Sequence, residues 1–373
     1  MITAQKAKTL VYDNFAVNCV NVKRLDAYIG RNFWLESTSG LEYVLRMKPE
    51  ASITNTEQLG YYAGQHLHCN GFQVTYPLCA GDGKMNCSTC VENQDGNSDK
   101  WLLTLAPFIP GKTITESKLT LDDFYIISKE IGCFAGLVHE SLSSYSGTIT
   151  RTNTCTLDTC THPEECVWYT RNVGFLLKKF VHVVKESEIL RHVNYFLEMF
   201  EQNVHPLFSK LRWGVLHGDF SDTNIVLVES DSESQSEKDC LKDFSFLKKK
   251  YALIDFEDCH YAPLIFDLCV LLAYMMIRAE ATNADPFRVS GLILLGYHKI
   301  FPLSENEKKV LFWGVMARLV TSYVMSRCNL LSDPENEAYL CLQSSYCPRL
   351  IKLLLDNGEE NVMKAWFASI DKA

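Results

Sequence analysis

Three side chains in this sequence are spaced to do chemistry together. Asp219 lies in Val215-Leu216-His217-Gly218-Asp219-Phe220-Ser221-Asp222-Thr223-Asn224, Asn224 closes that stretch, and Asp255 follows Tyr251-Ala252-Leu253-Ile254. Residues 225–228 and 251–254 are short, β-prone apolar runs flanked by polar residues, which is the pattern of strands. If the two runs pair antiparallel, Asn224, just before the first, becomes a neighbour of Asp255, just after the second. Paired strands lie only ~4.8 Å apart, so an amide oxygen and a carboxylate at those ends can share one hard cation. Asp219, in a loop closed by Gly218 and Ser221, is placed to take a proton from a hydroxyl. A base beside a carboxylate–amide pair on a metal is the apparatus of phosphoryl transfer. Either motif alone reads equally well as a tight turn or a strand terminator; the two together, in this order, favour the chemistry.

His217-Gly218-Asp219-x-x-x-x-Asn224 followed by Ile254-Asp255-Phe256 resembles the catalytic loop and metal aspartate of the aminoglycoside-phosphotransferase and choline-kinase-like family. The resemblance implies an α+β, two-lobed protein-kinase-like fold, with a small N-terminal antiparallel sheet lobe and a larger, mainly helical C-terminal lobe. It implies Asp219 as catalytic base and Mg2+ held by Asn224 and Asp255. His217 and Asp267 become supports, Asp267 bracing the catalytic loop from the following helix. Further segments, among them Glu42-Tyr43-Val44-Leu45, Ile109-Pro110-Gly111, Asp258-x-x-Tyr261 and Tyr274-Met275-Met276-Ile277, resemble the hydroxylysine kinases within that family. What these imply is transfer of the terminal phosphate of GTP, or ATP, to the side-chain hydroxyl of 5-hydroxy-L-lysine. A kinase of another cationic alcohol (choline, ethanolamine or an aminoglycoside) and a non-catalytic binding module of the same fold are the alternatives. Glu257 stands where a protein kinase has glycine, and no Ala-Pro-Glu segment follows, so protein-kinase activity is disfavoured.

The chemistry needs elements to position it. Val20–Leu25, Asn32–Glu36 and Glu42–Met47 read as strands, and a helix is expected over 54–69. Gln73–Leu78 and Trp101–Leu105 are expected to finish the small sheet, with a turn-rich loop over 80–100 between them. Residues 26–33, with Arg31, form the connection that would cover the nucleotide phosphates; its single glycine is a weak signal. Arg46 occupies the position where the family carries a phosphate-gripping lysine, a swap that keeps charge but changes geometry. Lys48 shares its strand face and is a substitute. Glu57, on the following helix, is the expected partner of Arg46. Residues 107–111 read as a hinge between lobes 1–106 and 112–373. A purine there would be read either by Ala106 C=O and Phe108 N–H or by Pro107 C=O and Ile109 N–H, since proline has no N–H to give. Helices are expected over 122–141, 167–182 and 186–210, and through most of 290–370. Asp222, Glu257 and Asp258 are candidate anions for the ammonium groups of the acceptor.

Composition sets the remaining bounds. The 373 residues are 47% hydrophobic and 22% charged, with net charge −9, values of a globular protein with a substantial core. The acidity argues against a nucleic-acid partner and suits a cationic small molecule. Met1–Leu10 has no signal-peptide core, and the apolar stretch 262–277 is too short to span a bilayer. The 15 cysteines form no disulfide framework of a small secreted domain, so reduced thiols and a cytoplasmic setting are expected. Cys87-x-x-Cys90 with Cys155, Cys160, His162 and Cys166 has the ligand types for zinc, a weaker reading because these residues sit in polar, loop-like sequence. Oligomeric state leaves no mark in the sequence.

Overall fold

A computed structural model describes residues 2–25, 30–49, 55–92, 98–145, 167–229 and 244–370 of the chain. Helix α1 (Ala4–Phe15) starts where the Thr3 hydroxyl accepts the Lys6 N–H, and it buries Ala7, Leu10 and Val11. Strands β1 (Cys19–Leu25), β2 (Arg31–Ser37) and β3 (Glu42–Pro49) follow, then α2 (Asn55–Cys69), β4 (Gln73–Val74), β5 (Cys87–Glu92) and β6 (Ser98–Pro107). They form an antiparallel sheet in the order β1-β2-β3-β6-β5. Side chains alternate along a strand, so Phe33 and Leu35, Leu45 and Met47, and Leu103 and Leu105 all point at α1 and close a small core. The expected loop over 80–100 thus contains a strand. Its alternating Ser, Thr and Cys carry no hydrophobic signal, and pairing along β6 supplies the hydrogen bonds that order it.

The larger part begins with β7 (Gly111–Thr113) and α3 (Leu121–Ser143), whose Thr120–Asp123 capping box satisfies its first N–H groups. Next come α4 (Val173–Leu176), α5 (Ser187–Asn203), β8 (Trp213–Leu216), β9 (Ile225–Val228), α6 (Leu247–Lys250), β10 (Tyr251–Leu253) and β11 (His260–Pro263). Helices α7 (Ile265–Ala281), α8 (Pro286–Ile300), α9 (Glu305–Ser332), α10 (Glu337–Leu340) and α11 (Cys347–Phe367) complete the chain. The expected helix over 167–182 is broken into single turns around α4. The expected helix over 186–210 stops at Asn203, and Pro206 opens a separate 3-10 turn (His205–Lys210). α3 and α8 cross so closely that a Cβ on Gly132 would lie 2.0 Å from the Ile293 carbonyl oxygen. This crossing, with α7, α9 and α11 around it, forms the main core.

Two small sheets carry the site. β9 and β10 pair antiparallel, Ile225 opposite Leu253, within a four-stranded sheet ordered β4-β10-β9-β7. β8 and β11 form a two-stranded ribbon. Only Gln73–Val74 of the expected strand 73–78 forms, and it joins β10 in parallel rather than the N-terminal sheet. Helix α2 likewise buries Leu59, Ala63 and Leu67 in the main core. The fold is a mixed α+β one, an N-terminal antiparallel sheet followed by a mostly helical C-terminal part. Among the described residues, no helix is long and apolar enough to cross a membrane.

Candidate active site

Asp219 hangs from the loop between β8 and β9, and that loop is fixed from below. Asp267, 1% exposed in the first turn of α7, accepts the backbone N–H groups of His217 at 2.7 Å and Gly218 at 2.9 Å. Its second neighbour is His139 Nε2, at 3.4 Å. Burial pushes this carboxyl up, but the His139 bond and the surrounding donors outweigh it, and the group stays below the usual carboxylate range. His217 is fully buried, donates from Nε2 to the Ile254 carbonyl at 2.9 Å, and accepts the Asp219 N–H on Nδ1 at 3.3 Å. It thereby ties the Asp219 loop to the strand that precedes Asp255. Gly218 adopts φ +86, and a Cβ there would lie 2.1 Å from the Asp258 carbonyl oxygen. Glycine is the residue that meets both demands.

The side chain of Asp219 is held from two sides. Asn224 Nδ2 donates to its backbone oxygen at 2.9 Å and to its Oδ2 at 2.8 Å. Arg318, from the middle of α9, donates to Oδ1 in a tight ion pair. A carboxylate has about four lone-pair sites, so capacity remains for a substrate hydroxyl. Because Asn224 commits its NH2 to Asp219, its amide oxygen is the atom left for a cation. The Ile254 N–H donates to the Asn224 carbonyl at 3.0 Å, so the ladder continues past β9 and β10 and brings Asp255 beside Asn224. Asp255 has left-handed φ +67, a strained conformation that aspartate tolerates better than most residues. Two hard oxygen donors, an amide and a carboxylate, are the kind of set that suits Mg2+.

Arg46 Nη1 lies 3.1 Å from Asp255 Oδ1 and 3.0 Å from Glu257 Oε1, and Lys48 Nζ also pairs with Glu257. Burial pushes the Asp255 carboxyl up, and Arg46 more than offsets it, leaving the group below its ordinary range. The expected partner of Arg46 was Glu57, whose side chain lies outside the described residues; among the described residues the carboxylates on Arg46 are Asp255 and Glu257. Glu257 therefore faces the two cations of β3. Arg31 donates to the Gly30 carbonyl at 2.7 Å, and residues 26–29 of the expected phosphate loop lie outside the described residues. At the expected hinge, the Phe108 N–H already donates to the Glu42 carbonyl at 3.0 Å. The Ala106/Phe108 frame thus loses its donor, which favours the frame of Pro107 C=O and Ile109 N–H.

The other two candidate anions differ from each other. Asp222 is 2% exposed, accepts from Thr115 Oγ1 at 2.7 Å and from Gln343 Nε2 at 3.2 Å, and is pushed by burial up to about 6. It braces the loop from within. Asp258 is solvent-accessible yet surrounded by protein, with no hydrogen-bond partner for its carboxylate among the described residues. Burial, then the nearby charges of Asp219 and Asp255, push it up to about 7. Its backbone carbonyl accepts from His260 Nδ1–H at 2.8 Å, and that imidazole stacks on Tyr169 at 3.8 Å.

Arg318 escaped the sequence reading. Its signal was the one that exposed Asp267: a charged residue inside an apolar helix must have a partner. Of the cysteine sets considered for zinc, Cys87 and Cys90 lie on β5, and Cys155, Cys160, His162 and Cys166 fall outside the described residues. Among the described residues, no three His, Cys, Asp or Glu side chains gather as a metal cage.

No protein-family model matches the chain. It is similar to the hydroxylysine kinase of Xenopus laevis, 27% identical over 387 residues that cover 99% of this chain and 94% of that protein. It is also similar to the hydroxylysine kinase of Danio rerio, 28% identical over 350 residues, 93% of this chain and 90% of that protein. Among solved structures, an amicoumacin kinase in complex with AMP-PNP and Ca2+ superposes with TM-score 0.62 at 18% identity, covering 93% of each chain. Structures of an aminoglycoside phosphotransferase and a choline kinase share the same fold.

Proposed function

Starting from a chain homologous to the hydroxylysine kinases, with the fold of aminoglycoside phosphotransferases and choline kinases, we propose that this small-molecule phosphotransferase acts on 5-hydroxy-L-lysine. The terminal phosphate of GTP or ATP passes to the side-chain hydroxyl. One observation supports the reading: Asn224 is hydrogen-bonded to Asp219, and the Ile254 N–H bond to the Asn224 carbonyl sets Asp255 beside that pair.

Asp219 orients the acceptor hydroxyl and takes its proton, its carboxylate kept in place by Asn224 and Arg318. Asn224 and Asp255 would hold Mg2+, which when bound neutralises charge on the phosphates. Arg46 and Lys48, aligned by Glu257, reach toward the nucleotide phosphates from β3, with Arg31 at the mouth of the sheet. The purine is read at the hinge 107–111 through Pro107 C=O and Ile109 N–H, between lobes 1–106 and 112–373. Asp258 receives an ammonium group of the acceptor.

The test is phosphate transfer from Mg·GTP and Mg·ATP to hydroxylysine, choline, ethanolamine and an aminoglycoside, with Asp219→Asn as control. Turnover of hydroxylysine, reduced at least ~100-fold in the variant, is expected from the loss of a general base. Turnover of choline or ethanolamine with none of hydroxylysine would refute the assignment of acceptor.

A further inference from the structure

On the reading that hydroxylysine is the acceptor, we propose that Arg318 recognises its α-carboxylate while holding the catalytic base, and so selects amino-acid alcohols over simple amino alcohols. Arg318 is 5% exposed and lies in α9 among Val315, Leu319 and other fully buried residues. A guanidinium in such surroundings is costly unless its charge and its five N–H donors are met. They are met in part. Asp219 takes one donor and the Tyr274 hydroxyl another, the Trp168 carbonyl lies at 3.5 Å from Nη1, the outer limit of a hydrogen bond, and the buried Nε has no acceptor among the described residues. The rings of Trp168 and Tyr274, at 5.0 and 5.1 Å, flank the cation and hold its plane.

The charge pattern around Asp219 completes the argument. Asp258 interacts electrostatically with both Asp219 and Arg318, and its own carboxylate has no hydrogen-bond partner among the described residues. The base is therefore flanked by an accessible anion and a cation with donors to spare. A zwitterion fits that pattern, its ammonium toward Asp258, its carboxylate toward Arg318 and its hydroxyl at Asp219. Choline and ethanolamine bring a cation alone, which Arg318 would repel without return.

The test compares hydroxylysine with its methyl ester and with the diamino alcohol that decarboxylation would leave. For the wild-type enzyme, removing the carboxylate charge should lower kcat/KM by roughly 30-fold or more, mainly through KM, as for loss of one partner of a close charge pair. In Arg318→Met, the ratio of kcat/KM between hydroxylysine and the diamino alcohol should collapse toward one, whatever common loss follows from a less firmly held base. Arg318→Lys should recover part of the ratio, since the charge stays and the fork is lost. Equal kcat/KM for acid, ester and diamino alcohol in the wild type overturns the proposal and leaves hydroxylysine as acceptor. A variant that slows both acceptors by one factor, keeping the ratio, overturns it too and reduces Arg318 to a support for Asp219. A wild-type enzyme that phosphorylates choline but not hydroxylysine overturns the substrate reading and this inference together.

Discussion

Gly218→Ala tests whether the loop that carries the proposed base Asp219 is as tightly fixed as the geometry indicates. The added methyl would sit 2.1 Å from the Asp258 carbonyl oxygen, whereas real Cβ contacts essentially never fall below 3.0 Å. The loop must therefore move by ~0.9 Å, the difference between those distances, at the residue next to Asp219. Relaxing φ from +86 toward the region alanine prefers adds ~1–2 kcal/mol of pressure in the same direction. The move also strains the Gly218 N–H bond to Asp267, so the loop cannot shift as a rigid unit. A displacement of about 1 Å at a reacting group costs on the order of 100-fold in rate, and kcat should fall by that factor. Arg46, Lys48 and the hinge lie on other elements, so the affinity for a fluorescent GTP or ATP analogue should stay within about threefold, a change of less than 1 kcal/mol. Steady-state phosphate transfer and a nucleotide titration on the same preparation give both readouts. A variant with wild-type kcat would refute the claim that this loop has no room to move; equal loss of nucleotide binding and turnover would show unfolding instead.

Two further outcomes are expected. Glu257→Gln removes the charge shared by Arg46 and Lys48, and KM for the nucleotide should rise roughly tenfold, in line with a lost charge-assisted contact; a rise confined to the acceptor's KM would place Glu257 on the substrate instead. Asp222 gives a pH test. Its native carboxyl titrates at about 6, above the ~3.9 of an unfolded chain. Between those values the folded state keeps a proton that the unfolded state has lost, so stability falls as pH rises through the window, and the penalty, about 3 kcal/mol, is complete above it. Asp222→Asn removes the charge while its amide oxygen still accepts from Gln343 and the Thr115 hydroxyl can turn to accept from its NH2. Its melting temperature relative to wild type should therefore be more favourable near pH 8 than near pH 4, and an unchanged gap between the two pH values would refute the burial argument.

Much of this protein is written locally. The apolar runs at 225–228 and 251–254, each ended by a polar residue, were enough to expect an antiparallel pair with Asn224 and Asp255 at its mouth. Asp267 declared itself as a buried acid in an apolar helix. These features depend on spacing over a few residues, which a sequence displays directly. Other features depend on which distant surfaces meet. Strand β4 joined β10 because α2 packs into the main core and carries it there, and its own residues prefer neither sheet. The broken turns at 170–183 and the strand β5 likewise answer to neighbours rather than to propensity. Arg46 found Asp255 and Glu257 across 209 and 211 residues of chain, and Arg318 reached Asp219 across 99. Each long-range pair is set by the packing of whole helices and sheets, and no short-range pattern encodes its geometry. The sequence by itself determined which residues could carry the reaction; only the tertiary structure decided which charges hold them, because a buried ion pair forms where close-packed elements leave two charged groups no other partner.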